Sequence, residues 1–195
     1  MRCLQSNNST RTETIFRKTE GVYLCRMKIL MVCLGNICRS PLAEGVLQDK
    51  ATQAGLHWTV DSAGTSSYHE GDPPHYLSQR VARLHGFDIS KQVCRRFVKD
   101  DMLRFDKIYA MDKEVYADIQ RISEELWDAG KTSLIMDEVS PGKHIEVPDP
   151  WFGGEDGYHL VFDMLSKACD VIIKRYNNQN QGPKKAPQNV TSNLT

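Results

Sequence analysis

Several kinds of signal are absent from this sequence, and each absence excludes a class of protein. The 25 basic and 25 acidic residues cancel to a net charge of zero, so the charge balance indicates no nucleic-acid or membrane-surface partner. No apolar run approaches the roughly 18 residues of a membrane span, and no internal repeat is visible. What remains is a chain of 195 residues, 40% of them apolar, which is long enough for one α/β domain with a full core and tails.

Cysteine is also sparse. The six cysteines stand at positions 3, 25, 33, 38, 94 and 169, and they do not form the dense framework of a disulfide-rich secreted domain. The apolar stretch at 22–25 is too short for the core of a signal peptide, so we expect a reducing, cytoplasmic location. Cys33 and Cys38 lack the Cys-x2-Cys spacing of zinc sites and have no accompanying histidine cluster, which predicts that no metal is bound.

The stretch from Cys33 to Pro41, Cys-Leu-Gly-Asn-Ile-Cys-Arg-Ser-Pro, carries the most chemical information. The apolar run at 28–32 before it is typical of a buried parallel strand, and residues 42–47 after the proline begin a helix. A loop that turns from a strand into a helix N-terminus directs backbone N–H groups and the positive end of the helix dipole at one point. The pattern therefore predicts an anion-binding cup with a thiol at its base and a guanidinium at its rim.

Each side chain of this cup has a separate use. Cys33 would be held as a thiolate by the N–H groups, the dipole and Arg39, and Arg39 offers a planar fork that can hold two oxygens of an oxyanion. Gly35 permits close approach of the backbone, and Asn36 tolerates the left-handed conformation that turns N–H groups inward. Ser40 could donate its hydroxyl to the sulfur. A Cys-x5-Arg pair alone is more often a structural thiol with a surface arginine, but the strand–loop–helix context favours the cup.

This stretch resembles, residue for residue, the phosphate-binding loop of the low-molecular-weight protein tyrosine phosphatases. The resemblance implies a three-layer α/β sandwich of the phosphotyrosine phosphatase I type, with a four-stranded parallel sheet and helices on both faces. It also implies that Cys33 and Arg39 are catalytic, and that the other loop residues bind the substrate, namely Leu34, Gly35, Asn36, Ile37, Cys38 and Ser40.

The resemblance extends to the support of the loop. The family uses the serine of an Asp-Ser-Ala element to brace the loop asparagine, and the same three residues stand at 61–63, so Ser62 is expected to bond Asn36. The family's histidine brace is missing, because Gln92 stands near its position. In the family the two loop thiols can join as a disulfide, which implies a redox role for Cys38, although a small buried thiol that packs the loop is the alternative.

A second chemical motif occurs at 147–152, Val-Pro-Asp-Pro-Trp-Phe. Two prolines stiffen the backbone around Asp149, and an acid that protonates a departing aryl oxide accelerates its loss by about 10²–10⁴. Asp-Pro alone is more often a turn, but the family has Asp-Pro followed by an aromatic pair here, which implies that Asp149 is the general acid. Trp151, Phe152 and Tyr68 could wall a slot for a phenyl ring, with Leu34 and Ile37 at its base.

Strands alternate with helices along the rest of the chain. Apolar runs predict strands near 58–63, 107–111 and 133–136, and helical periodicity predicts helices near 41–54, 74–84, 99–104, 113–127 and 158–176. This alternation favours a parallel sheet covered on both faces, with ligands bound beyond the carboxyl ends of the strands. We place the domain at 27–176 and expect the polar segments 1–26 and 177–195 to be disordered.

The two motifs together predict metal-independent hydrolysis of phosphotyrosine through a cysteinyl-phosphate intermediate, with no cofactor. The expected partner is a phosphotyrosine-containing protein, and the chain is expected to be a monomer. An arsenate reductase of the same fold would need further cysteines for a thiol relay, and Cys94 and Cys169 form no obvious pair. A non-catalytic phosphotyrosine-binding module is expected to lack Cys33 or Asp149, and a structural thiol protein would not need Arg39 together with a neighbouring serine.

Overall fold

The computed structural model describes residues 17–19, 22–24 and 26–180, with side chains over 26–176. Two short strands, β1 (Arg17–Thr19) and β2 (Val22–Leu24), pair antiparallel. The main sheet contains β3 (Lys28–Cys33), β4 (Thr59–Gly64), β5 (Lys107–Ala110) and β6 (Thr132–Leu134). Its order is β4-β3-β5-β6, and every neighbouring pair is parallel.

Helices lie between and after these strands: α1 (Arg39–Gln53), α2 (Tyr76–Leu84), α3 (Asp101–Arg104), α4 (Lys113–Ser123) and α5 (Gly154–Asn180). Within the described ranges, no helix is both long and apolar enough to cross a lipid bilayer. The four-stranded parallel sheet with its helices confirms the predicted fold class.

The central strand β3 is apolar on both faces. Ile29 and Met31 pack into one hydrophobic cluster with side chains of α1, α2 and α5, whereas Leu30 and Val32 pack into a second cluster with side chains of α4. All four side chains are completely buried. A strand that is covered on both faces has a continuous apolar run rather than an alternating one, which is why the sequence identified it.

The strand order places the loop after β3 in a crevice. The chain passes from β3 to β4 on one side of the sheet and later to β5 on the other side. Where the strand order reverses in this way, the loops at the carboxyl ends separate and leave room for a ligand. Cys33 ends β3 and Asp112 follows β5 after one residue, so both lie at this crevice.

On the outer strand β4, every second backbone N–H is hydrogen-bonded to another group of this chain. The three bonds run from Val60 to Gln48 Oε1 (3.1 Å), from Ser62 to Asp61 Oδ1 (2.8 Å), and from Gly64 to the Arg95 carbonyl (2.9 Å). Gly64 also forms an isolated parallel bridge with Arg96. The 95–96 segment therefore lies against the carboxyl end of β4, next to the loop that follows β3.

Several boundaries differ from the prediction. Helix α1 begins at Arg39, so Pro41 falls in the first turn, where its missing N–H is not needed. The fourth strand ends at Leu134, and Ile135–Glu138 form a 3-10 helix, as do Glu124–Leu126 after α4.

The terminal segments also differ where the structure describes them. Helix α5 begins at Gly154 and continues to Asn180, so residues 177–180 are helical where a disordered tail was predicted. Strands β1 and β2 lie in the segment predicted to be disordered. The rest of both tails lies outside the described residues.

We expect Gly64→Ala to destabilise the loop after β3. A Cβ at this position would lie 2.8 Å from the Leu34 carbonyl oxygen and 3.1 Å from the Asn36 backbone nitrogen, and backbone atoms cannot rotate away. Overpacking of this kind typically lowers the free energy of unfolding by about 1–3 kcal/mol. The matched control is Gly130→Ala, whose added Cβ would meet only an oxygen of the exposed Asp128 side chain. Denaturant unfolding measures both variants, and equal stabilities would contradict the prediction.

Candidate active site

The loop at 33–38 connects the carboxyl end of β3 to the N-terminus of α1. Asn36 adopts the left-handed conformation with φ of 53°, as its residue type predicted. The Asn36 N–H lies 3.3 Å from Cys33 Sγ, and Ser40 Oγ lies 3.1 Å from the same sulfur. Because Cys33 is only 2% exposed, these two contacts are made at the base of the loop, away from bulk water.

Arg39 is buried and is held by three groups. Its Nη1 donates to Asp112 Oδ2 at 2.6 Å and to the Val147 carbonyl at 3.1 Å, and its Nη2 donates to Asp149 Oδ2 at 3.1 Å. Burial alone would lower the pKa of Arg39, but the negative charges of Cys33, Asp149 and Asp112 outweigh burial and raise that pKa. The guanidinium is therefore charged and fixed in orientation beside the loop.

Asp112 is a site residue that the sequence did not reveal. The sequence indicated only a helix cap, and Asp112 Oδ1 does accept from the Val115 N–H at 2.7 Å at the start of α4. Its second oxygen binds Arg39. The signal that could have identified this role is its position just beyond the strand that neighbours β3.

Asn36 is braced by three hydrogen bonds. Its Nδ2 donates to Ser40 Oγ and to Ser62 Oγ, each at 2.9 Å, and its Oδ1 accepts from the Arg95 backbone N–H at 2.9 Å. Ser62 Oγ in turn donates to Glu44 Oε2 at 2.7 Å. The geometry agrees with the bond predicted between Ser62 and Asn36, while the contacts of Glu44 and Arg95 were missed.

Gln92, which stands near the position of the family's histidine, bonds a neighbour of the brace. Gln92 hydrogen-bonds to Glu44, and its own Oε1 is buried with no partner among the described residues. The bond to Asn36 that completes the brace comes from the main chain of residue 95. A backbone N–H leaves no trace in the sequence, so this brace could not have been predicted from residue types.

A cavity of about 220 Å³ opens above the loop. Its wall includes the predicted aromatic residues Tyr68, Trp151 and Phe152, together with Asp149 and most of the loop. Tyr68 is 88% exposed and Phe152 is 95% exposed, so these two rings form the open mouth rather than the floor. The complete lining is Cys33, Leu34, Gly35, Ile37, Cys38, Arg39, Ser66, Tyr68, His69, Asp149, Trp151 and Phe152.

The chain matches a known family over most of its length. The family model described as low molecular weight phosphotyrosine protein phosphatase matches residues 28–182. This chain belongs to that family.

Individual relatives agree with this assignment. A putative low molecular weight protein-tyrosine-phosphatase of Synechocystis is 41% identical over 149 residues, which are 75% of this chain and 94% of that protein. A crystal structure of a protein tyrosine phosphatase from Entamoeba histolytica, with Hepes in the active site, shares 38% identity with a TM-score of 0.72, covering 78% and 98% of the two chains. The crystal structure of a Drosophila arginine phosphatase shares 27% identity with a TM-score of 0.72, covering 81% and 100%.

Two residues that were predicted to contact the substrate do not line the cavity. Asn36 and Ser40 were expected to bind the substrate, but both side chains are buried and neither lines the cavity. They lie behind the loop and bond each other, because the loop needs a polar support on its inner side. Ser66 and His69 line the cavity and were not predicted.

Cys38 is a thiol in a protected position. Its Sγ lies 3.3 Å from the Tyr158 hydroxyl, and burial, the largest effect, raises its pKa to about 12. Both Cys33 and Cys38 are free thiols in this structure. The redox role of Cys38 stays a prediction.

Within the described residues, no group of three His, Cys, Asp or Glu side chains is arranged to hold a metal ion. The expectation that the protein needs no metal also stays a prediction.

Glu44 gives a pH-dependent prediction. Burial raises its pKa from the ordinary 4.5 to about 7, so the folded state binds the proton more tightly than the unfolded state does. That contribution to stability is complete below pH 4.5 and is lost as the pH rises to about 7. Glu44→Gln keeps an acceptor for Ser62 and removes this titration. We therefore expect its unfolding free energy, relative to the wild type, to increase between pH 5 and pH 8.

Denaturant unfolding at the two pH values measures the effect of Glu44→Gln. Glu70→Gln, at an exposed position, is the control and should follow the wild type. A difference between Glu44→Gln and the wild type that does not change with pH would contradict the prediction.

Proposed function

We propose that this chain is a protein tyrosine phosphatase that hydrolyses phosphotyrosine through a phosphate ester of the Cys33 sulfur. The observation that carries the proposal is the position of Cys33 at the base of an aromatic-walled cavity, with Arg39 and Asp149 on the same wall. Membership of the low molecular weight phosphotyrosine protein phosphatase family supports the same reaction.

In the first step the Cys33 thiolate attacks phosphorus in line with the phenolic oxygen, and the bond between phosphorus and that oxygen breaks. The loop N–H groups and Arg39 stabilise the negative charge on the three remaining oxygens. Asp149 gives its proton to the phenolic oxygen, so the leaving group departs as a neutral phenol.

In the second step a water molecule attacks the phosphorus of the intermediate. Asp149, now a carboxylate, takes a proton from this water, and the phosphorus–sulfur bond breaks to release phosphate. Ser40 Oγ, 3.1 Å from Cys33 Sγ, donates to the departing thiolate and so makes sulfur a better leaving group.

The ion pair between Arg39 and Asp149 can open when the substrate binds. Without substrate, Arg39 Nη2 donates to Asp149 Oδ2 at 3.1 Å. A bound phosphate dianion competes with Asp149 for Nη2. Nη1 stays bonded to Asp112 and the Val147 carbonyl, so Arg39 keeps its orientation while it changes partner.

The cavity favours an aryl phosphate over a shorter substrate. Tyr68, Trp151 and Phe152 stand at the mouth, and a phenyl ring between them would place its phosphate at the base of the loop. Phosphoserine is too short to do the same while its backbone stays outside. The Drosophila relative is named an arginine phosphatase, so phosphoarginine is the comparison substrate. We expect this chain to hydrolyse phosphotyrosine peptides faster than phosphoarginine.

We further propose that the enzyme needs no metal or other cofactor and acts as a monomer on phosphotyrosine-containing proteins in the cytoplasm. The balanced charge of the chain supports the absence of nucleic-acid and membrane partners. The loop N–H groups and Arg39 supply the positive potential that a metal ion provides in other phosphatases.

We expect Cys33→Ser to abolish hydrolysis of phenyl phosphate, because a serine hydroxyl is not ionised at neutral pH and is a far weaker nucleophile than a thiolate. The measurement is phenol release in the presence of a metal chelator. Cys169→Ser, on the buried face of α5, is the matched control and should retain activity. Full activity of Cys33→Ser would rule out the proposed reaction.

We expect Asp149→Ala to slow the reaction according to the leaving group. Loss of a general acid costs about 10²–10⁴ for a basic leaving group such as phenoxide, and less for p-nitrophenoxide, which leaves without protonation. Binding of inorganic phosphate should be retained, because Arg39 and the loop remain. The comparison is kcat/KM for the two aryl phosphates, which reports the step in which the leaving group departs, together with the inhibition constant of phosphate. An equal loss for both substrates would argue against the acid role.

A further inference from the structure

His75 connects the two halves of the site and has no role in the reaction described above. It precedes α2 as its N-cap, and its backbone N–H donates to the Ile37 carbonyl of the loop at 2.7 Å. Its ring is partly buried and lies between the Tyr158 ring of α5 and the Trp151 ring. His75 therefore contacts both the phosphate-binding loop and the segment that carries the acid.

Near Asp149, the His75 ring contacts the Trp151 ring. The ring centroids of His75 and Trp151 are 5.3 Å apart at an angle of 55°. The Trp151 backbone N–H donates to Asp149 Oδ1 at 3.0 Å. His75 thus contacts the ring of the residue whose main chain is bonded to the Asp149 carboxylate.

Toward the loop at 33–38, His75 is connected to Cys38 by a chain of hydrogen bonds. His75 Nδ1 lies 2.9 Å from the Tyr158 hydroxyl, and that hydroxyl lies 3.3 Å from Cys38 Sγ. The Leu77 N–H also points to His75 Nδ1, at 3.4 Å.

Either atom can be the donor in the two contacts of the Tyr158 hydroxyl. These contacts link Cys38 through Tyr158 to His75.

We infer that His75 is a positioning residue for the phosphatase reaction, which holds Trp151 and thereby Asp149 at a fixed distance from the phosphate-binding loop. The Tyr158 hydroxyl fixes the imidazole from the loop side, and the imidazole ring supports Trp151 from the other side. The inference rests on the proposed function, because it assigns His75 a task only if Asp149 protonates the leaving group.

His75→Asn is the variant that separates this role from helix capping. Asparagine is among the preferred N-cap residues, so α2 keeps its cap while the ring contact with Trp151 is lost. A misplaced acid matters most for a basic leaving group. We therefore expect kcat/KM, which reports the step in which the leaving group departs, to fall about tenfold for phenyl phosphate and about twofold for p-nitrophenyl phosphate.

His85→Asn is the matched control. His85 follows the same helix at its other end and stacks on Phe162, with ring centroids 3.6 Å apart, so this variant loses an imidazole–aromatic contact away from the cavity. Its kcat/KM for both substrates should match the wild type. Tyr158→Phe removes the hydroxyl between His75 and Cys38 and leaves the N-cap of α2 unchanged. We expect its activity to fall more for phenyl phosphate than for p-nitrophenyl phosphate, and by less than in His75→Asn.

A double variant distinguishes positioning of the acid from a general structural defect. If His75 acts through Asp149, then adding His75→Asn to Asp149→Ala should cause no further loss on phenyl phosphate. The inference is overturned by a tenfold further loss in the double variant, by equal losses on the two substrates, or by a His75→Asn enzyme as active as His85→Asn. None of these outcomes bears on the proposed function, which depends on wild-type turnover and on its loss in Cys33→Ser.

Discussion

The carboxamide of Asn36 is the interaction on which the site depends. Its two N–H bonds and its oxygen join the phosphate-binding loop to Ser40, to Ser62 on β4, and to the main chain of Arg95. The left-handed backbone at this residue costs about 1–2 kcal/mol for most side chains, and these three bonds compensate for it. A glycine would adopt the same φ but could not tie the three segments together. The carboxamide on the inner face of the loop therefore ties the loop to α1, to β4 and to the 95–96 segment.

The second constraint is the burial of a positive charge. A guanidinium that is almost fully buried must be paired, and Arg39 has two carboxylates with different surroundings. The side chain of Asp112 is 20% exposed and that of Asp149 is 48% exposed. The better buried carboxylate has the shorter bond, whereas the more exposed one is accessible to water. One ion pair is thus largely shielded from solvent, and the other borders the cavity.

The parts of this protein that could be predicted from sequence are those encoded by local patterns. The run at 28–32 identified the central strand because that strand is apolar on both faces, and Asn36 identified a left-handed turn. What could not be predicted depends on distant segments. Asp112, Glu44 and the main chain of Arg95 reach the loop only after the strands have paired. Likewise, Asn36 and Ser40 looked like ligand contacts, because a sequence does not show which side of a loop faces the cavity.

The outer strand β4 has a consequence for how molecules of this protein meet one another. An unpaired strand edge is a template on which another chain can add a strand and begin to aggregate. Along β4 the amides of Val60, Ser62 and Gly64 are already bonded to a glutamine, an aspartate and a carbonyl of the same chain. An incoming strand would have to break these bonds before it could pair there. The hydrogen bonds along the outer edge of β4 therefore protect this edge of the sheet from association with other molecules.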